Sequence, residues 1–94
     1  MNVVLKKKKV YNALQFTGDN VEELRIFVAN IDSEFSIQET KYLGETYCRL
    51  WTPEDAPSVI RKGYWVLETR EHCFSIEVLS DKEFQELYEP ANVQ

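Results

Sequence analysis

The sequence predicts an α+β fold of about five mostly antiparallel strands in a curved sheet, with two short helices, one after the first strand and one at the C-terminus. Three observations carry this expectation. The stretch from Gly63 to Glu89 reads as strand, turn, strand and capped helix. Apolar residues recur at helical spacing from Val21 to Ile31, and Val10–Phe16 and Glu45–Thr52 alternate as strands do. At 94 residues the chain supports one small core, so 1–94 is read as a single domain, with 1–8 a basic N-terminal arm and 91–94 a frayed tail.

In chain order, Lys6–Lys9 is a run of lysines before the first strand. Such a run reads as a solvated arm or as a guard against edge-to-edge strand pairing, rather than as a phosphate-binding patch. In Val10–Phe16, the set Val10, Asn12, Leu14 and Phe16 carries the convincing core face, interrupted by Asn12; Tyr11, Ala13 and Gln15 lie opposite. Thr17-Gly18-Asp19-Asn20 is a turn by composition. Asn20 then reads as an N-cap with Glu23 three residues on, and Val21, Leu24, Phe27, Val28 and Ile31 form the buried stripe of the first helix. Glu22 and Glu23 suit the positive end of the helix dipole; as neighbours on a helix they point about 100° apart and do not form an acid/base pair.

Asn30 and Asp32 end that helix. Phe35 and Ile37 alternate with Ser36 and Gln38 in a short strand, Lys41–Gly44 is a turn, and Glu45–Thr52 is the next strand. That strand carries Thr46, Cys48 and Leu50 on one face and Tyr47, Arg49 and Trp51 on the other, so one face must meet something other than bulk water. Pro53 and Pro57 mark a loop, and Ser58–Lys62 leads to Gly63. Tyr64–Thr69 and Cys73–Leu79 then form a hairpin around Arg70-Glu71-His72. Trp65 and Leu67 face one side and Tyr64 and Val66 the other, the pattern of a central strand covered on both faces. Ser80-Asp81-Lys82-Glu83 matches a capping box; Phe84, Leu87 and Tyr88 give the last helix its apolar face, and Pro90 stops it. If both helices cover the same face of the sheet, the other face or an edge is left open, which favours self-association or a partner.

Composition excludes several functional classes. A formal net charge of −5 argues against wrapping bulk nucleic acid, although an acidic surface permits docking to a basic protein groove. No apolar run approaches the ~20 residues that span a bilayer, and the order of MNVVLKKKKV is wrong for a secretory signal, so a soluble cytosolic protein is expected. Cys48 and Cys73 lack CxxC spacing and read as two half-buried thiols. Neighbours in a strand point to opposite faces, so Cys73 and His72 do not make a nucleophile–base pair, and His72 reads as an exposed turn residue. Gly18, Gly44 and Gly63 are isolated and form no phosphate loop. Asp81, Glu83, Glu86 and Glu89 fit the solvent face of a helix, not a metal site, and no cofactor is expected.

The best binding candidates are Tyr47, Arg49 and Trp51, where aromatic planes flank a guanidinium able to stack on a base or hold a phosphate; Arg61 and Lys62 can add charge. The alternative for these residues is packing of Tyr47 and Trp51 under a helix or a second subunit, with Arg49 reaching out to water.

Gln15-Phe16-Thr17-Gly18-Asp19-Asn20 with Glu22-Glu23, Gly63-Tyr64-Trp65-Val66-Leu67, and Phe84-Gln85-Glu86-Leu87-Tyr88-Glu89 together resemble a family of small uncharacterised proteins encoded by bacteriophages and prophages. Tyr64 departs from the aspartate more usual there, so no acidic role transfers to that position. Ile31–Ser58 is more elaborate than the corresponding connection in the family. The resemblance implies a phage accessory protein in the bacterial host cytoplasm. The expected function is a non-enzymatic binding protein that inhibits a host factor, most plausibly a component of antiviral defence. The alternatives are an oligomeric sponge sequestering a nucleotide signal, or a minor virion or assembly protein. A host protein is thus the expected partner, a nucleotide the possible ligand and a homo-oligomer the expected state.

Overall fold

The computed structural model describes residues 2–5, 10–53, 56–69 and 76–90. Along the chain these form β1 (Asn2–Leu5), β2 (Val10–Gln15), α1 (Val21–Ile31), β3 (Ser36–Tyr42), β4 (Glu45–Trp51), β5 (Ser58–Ile60), β6 (Trp65–Glu68), β7 (Ile76–Leu79), α2 (Asp81–Leu87) and β8 (Tyr88–Pro90). The fold is α+β with two helices, but the expected single sheet is replaced by two. One has five strands in the order β7-β6-β2-β1-β8 and the other three in the order β3-β4-β5, with every pairing antiparallel.

Within the larger sheet β6 is an interior strand, hydrogen-bonded to β2 on one side and β7 on the other. Its side chains alternate between two cores. Val66, with Tyr64 just before the strand, joins Phe16, Leu14, Ile76 and Val78 from the same sheet face. That face closes against α1, through Val21, Leu24 and Val28, and against Ile37, Cys48, Leu50 and Ile60 from the smaller sheet. Trp65 and Leu67 point the other way and meet Val3, Ala13, Leu79, Phe84 and Tyr88. The strand covered on both faces, read from the sequence, is therefore present, and the helices lie on opposite faces of the larger sheet rather than sharing one.

The second core is built on aromatic stacking. Phe84 lies parallel to Trp65 with ring centroids 3.8 Å apart, Tyr88 continues the stack at 5.4 Å, and Tyr11 meets Tyr88 edge-on at 5.9 Å. Trp65 Nε1 donates to the Asp81 carboxylate at 2.9 Å, so the indole is held at the first turn of α2 as well as by its ring. The capping box at the start of this helix is formed as the sequence predicts. Glu83 N–H donates to Ser80 Oγ at 3.2 Å, and Ser80 N–H donates to the Glu83 carboxylate at 3.0 Å.

Other local expectations are corrected. Asn2–Leu5, expected to be part of a basic arm, is a paired strand between β2 and β8, because a strand is free to pair wherever its neighbour has an open edge. Lys6–Lys9, the Arg70-Glu71-His72 turn, Cys73 and the tail 91–94 lie outside the described residues. Asn20 does not cap α1 through its side chain. Its carboxamide instead accepts from Thr17 N–H at 2.8 Å and donates to the Gln15 carbonyl at 2.9 Å and to Glu23 at 3.0 Å, locking the preceding turn. Tyr11 and Ala13 face the second core, so both faces of β2 are used. Tyr88 leaves the helix to begin β8, and Leu87 is exposed rather than part of the buried face.

The β3–β4 hairpin closes tighter than expected. Lys41 and Tyr42 belong to the strand, and the turn is Leu43-Gly44 alone, with φ of 51° and 79°. Two positive φ values in a two-residue hairpin turn match type I′, which favours Asn-Gly and places a leucine in the left-handed region.

Two stability predictions follow from these contacts. Ser80→Ala should cost about 1 kcal/mol. The Ser80 backbone N–H, then its side chain, hold the Glu83 carboxyl below the usual range. The stability tied to this lowered value is complete above the ordinary glutamate pKa and is lost as pH falls through the lowered one. Glu83→Gln should therefore flatten the acid limb in denaturant unfolding followed across pH. Separately, Leu43→Asn should stabilise the chain by about 1 kcal/mol by relieving the left-handed leucine, read as a higher urea midpoint at unchanged slope.

Candidate functional site

The pleat of the smaller sheet separates its residues into two sets. Ile37, Cys48, Leu50 and Ile60 point inward and are buried. In the observed register Ser36 faces Trp51, Gln38 faces Arg49, Thr40 faces Tyr47 and Tyr42 faces Glu45, while Val59 lies on the other side of Arg49. These residues share the outer face. Three of its apolar side chains are well exposed: Tyr42 at 64%, Val59 at 43% and Trp51 at 41%. Leu43 stands at the end of the hairpin, 86% exposed.

Trp51 Nε1 donates to Gln38 Oε1 at 3.1 Å, which fixes the indole toward β3. Arg49 lies between Gln38 and Val59 with an aromatic residue two positions away on each side of its own strand. The face thus offers ring surface, one guanidinium and the Gln38 carboxamide side by side, chemistry that suits a partner combining apolar and acidic groups.

Of the candidates read from the sequence, Tyr47, Arg49 and Trp51 are brought together here. Arg61 follows directly after Ile60 at the end of β5 and is exposed; its carbonyl accepts from Tyr64 N–H at 2.9 Å in the turn to β6. Lys62 is placed elsewhere. Its methylenes lie over Gly18, 3.5 Å from the position a β-carbon would occupy there, so it packs on the Thr17–Asn20 turn. Gly63 N–H donates to the Phe16 carbonyl at 2.7 Å and Phe16 N–H to the Tyr64 carbonyl at 2.8 Å, joining these two turns.

Sequence reasoning missed Tyr42, Leu43 and Val59. Tyr42 and Leu43 fell within an expected four-residue turn, and Val59 within a connection whose strand was not foreseen. One signal was present in the sequence: leucine before Gly44, where a two-residue hairpin turn favours asparagine or aspartate. Leu43 thus combines exposure with a backbone region unfavourable for a leucine.

Elsewhere, the shifted thiol and carboxyl groups Cys48, Asp81 and Glu83 belong to the core and to the start of α2. Burial, reinforced by Glu39 and opposed by Arg25, pushes the Cys48 thiol up to about 11, so it is protonated and shielded at neutral pH. Asp81 is lowered by the Trp65 indole and then by Gln85, and it serves α2, as Glu83 does. Among the described residues, no group of three or more His, Cys, Asp or Glu side chains is placed to hold a metal ion. Among them, too, no helix is long and apolar enough to cross a membrane.

In a Cys73→Ser background, Cys48 should react with a thiol-specific disulfide reagent only as fast as the chain unfolds. Rapid native-state labelling near neutral pH would contradict the buried, protonated thiol.

No protein-family model, curated protein or solved structure matches this chain, so a functional reading rests on the geometry of the outer sheet face.

Proposed function

We propose that this chain is a non-enzymatic binding protein that engages a protein partner through the outer face of the three-stranded sheet. The observation that carries the reading is the exposure of Tyr42, Trp51 and Val59 on the outer face that also holds Arg49, with Leu43 exposed at the hairpin end next to it. Aromatic residues and arginine are the side chains most enriched in energetically dominant contacts between proteins. A leucine held in the left-handed region at the end of a hairpin adds a projecting apolar contact.

The phage-like motifs support the biological setting: the partner is a host protein, a component of antiviral defence, and binding inhibits it in the bacterial cytoplasm. A nucleotide sponge is the competing use of Tyr47, Arg49 and Trp51, since each aromatic ring can stack on a base. The exposed apolar surface extends beyond these three residues to Tyr42, Leu43 and Val59, which favours the larger footprint of a protein.

Capture from bacterial lysate on the immobilised chain should enrich one host protein. Trp51→Ala and Arg49→Ala should each weaken its retention at least tenfold, roughly the effect of removing an interface hot spot. Leu43→Asn should weaken retention while raising stability, which separates loss of binding from loss of folding. Retention unchanged by all three substitutions would refute this face as the binding surface. Saturable nucleotide binding that depends on Trp51 and Arg49, with no face-dependent protein retained, would transfer the face to the sponge reading.

A further inference from the structure

Among the described residues β3 is an edge strand of the smaller sheet, paired only with β4, and α1 packs against it. It is a seven-residue strand without proline. Unpaired edges of this length invite strand addition unless something blocks them. At one end a block exists: Arg25 Nε donates to the Ile37 carbonyl at 3.5 Å, while Arg25 also forms an ion pair with Glu22. The stretch Gln38–Tyr42 lies beyond that contact.

Its hydrogen-bonding phase follows from the hairpin. In a two-residue hairpin the flanking residues, here Tyr42 and Glu45, form a hydrogen-bonded pair, and such pairs recur at every second position. Thr40 and Gln38 therefore turn their backbone groups toward β4. Glu39 and Lys41 turn theirs away from β4. These two residues carry opposite charges, flank Thr40 symmetrically and are both exposed.

We propose that β3 pairs with β3 of a second copy of this chain, antiparallel about a two-fold axis at Thr40, to form a continuous six-stranded sheet across the dimer. In that register Glu39 lies opposite the partner's Lys41, and Lys41 opposite the partner's Glu39. Both contacts are then hydrogen-bonded backbone pairs whose side chains attract. The symmetry makes the patch self-complementary, as a two-fold interface requires. Lysine alone would act as an edge guard by repelling its copy, whereas the Glu39-Thr40-Lys41 order converts that repulsion into pairing. The outer faces of the two copies then form one surface, with Tyr42 of each lying beside Gln38 of the other. Contact along a strand edge belongs with small, reversible interfaces, so the dimer is expected to depend on concentration and salt.

The test is a charge exchange on the full chain, with mass followed by sedimentation equilibrium at low salt up to millimolar protein. The wild type should be a reversible dimer. Glu39→Lys and Lys41→Glu should each place like charges opposite one another and weaken self-association roughly tenfold. Mixed in equal amounts they should associate with each other, because every facing pair is then opposite in charge. Glu39→Pro, which removes an edge-facing N–H and leaves the β4 ladder intact, should abolish dimerisation, with circular dichroism confirming the fold. A wild type that stays monomeric at millimolar concentration, or a dimer indifferent to both charge changes, would overturn the proposal. These outcomes are independent of whether the outer face retains a host protein.

Discussion

The structure depends on β6 being buried on both of its faces. A strand alternates its side chains between two sides, so Trp65 and Leu67 are committed to one core and Val66, with Tyr64, to the other. Neither core closes without this strand. Sliding β6 by one residue would exchange the two sets and place Trp65 where the valine packs, so its register with β2 and β7 is fixed by both cores at once. The indole is constrained further by Phe84 against its ring and Asp81 on its nitrogen, which ties α2 to the same strand.

From that constraint follows an unequal division of labour between the sheets. The larger sheet has α2 on one face and shares the other with α1 and the smaller sheet. The smaller sheet has its inner face in the first core and its outer face in solvent. Its outer side chains are consequently released from packing. Tyr42, Trp51 and Val59 remain exposed there although apolar groups of that size gain by burial, and Leu43 accepts an unfavourable backbone region. These exposed side chains lie on the outer face and at the hairpin end next to it, the surface to which the proposed binding is assigned.

What could be read from the sequence was local and periodic. The capping box at Ser80 and Glu83, the stripe of α1 and the two-sided burial of β6 each rest on residues close together in the chain. The partition into two sheets was not legible, because β5 has only three residues and β8 follows α2 without a break, and both owe their identity to distant partners. Asn2–Leu5 was obscured in the same way: it is a strand by virtue of lying between β2 and β8. Asn20 shows that a residue suited to capping can be used by a turn when a nearer donor, Thr17 N–H, competes for its oxygen. For the site, alternation placed Tyr47, Arg49 and Trp51 together, but the separation of Lys62 required knowing which turn it packs on.

The most direct test of the outer face as the binding surface is site-specific photo-crosslinking in bacterial cells. A photoreactive side chain at position 43, replacing Leu43 on the hairpin, is compared with one at position 86, replacing the exposed Glu86 on α2. A discrete crosslinked host protein is expected from position 43 and none from position 86. The same adduct from position 86 alone would place the binding surface on α2 and contradict the outer-face reading.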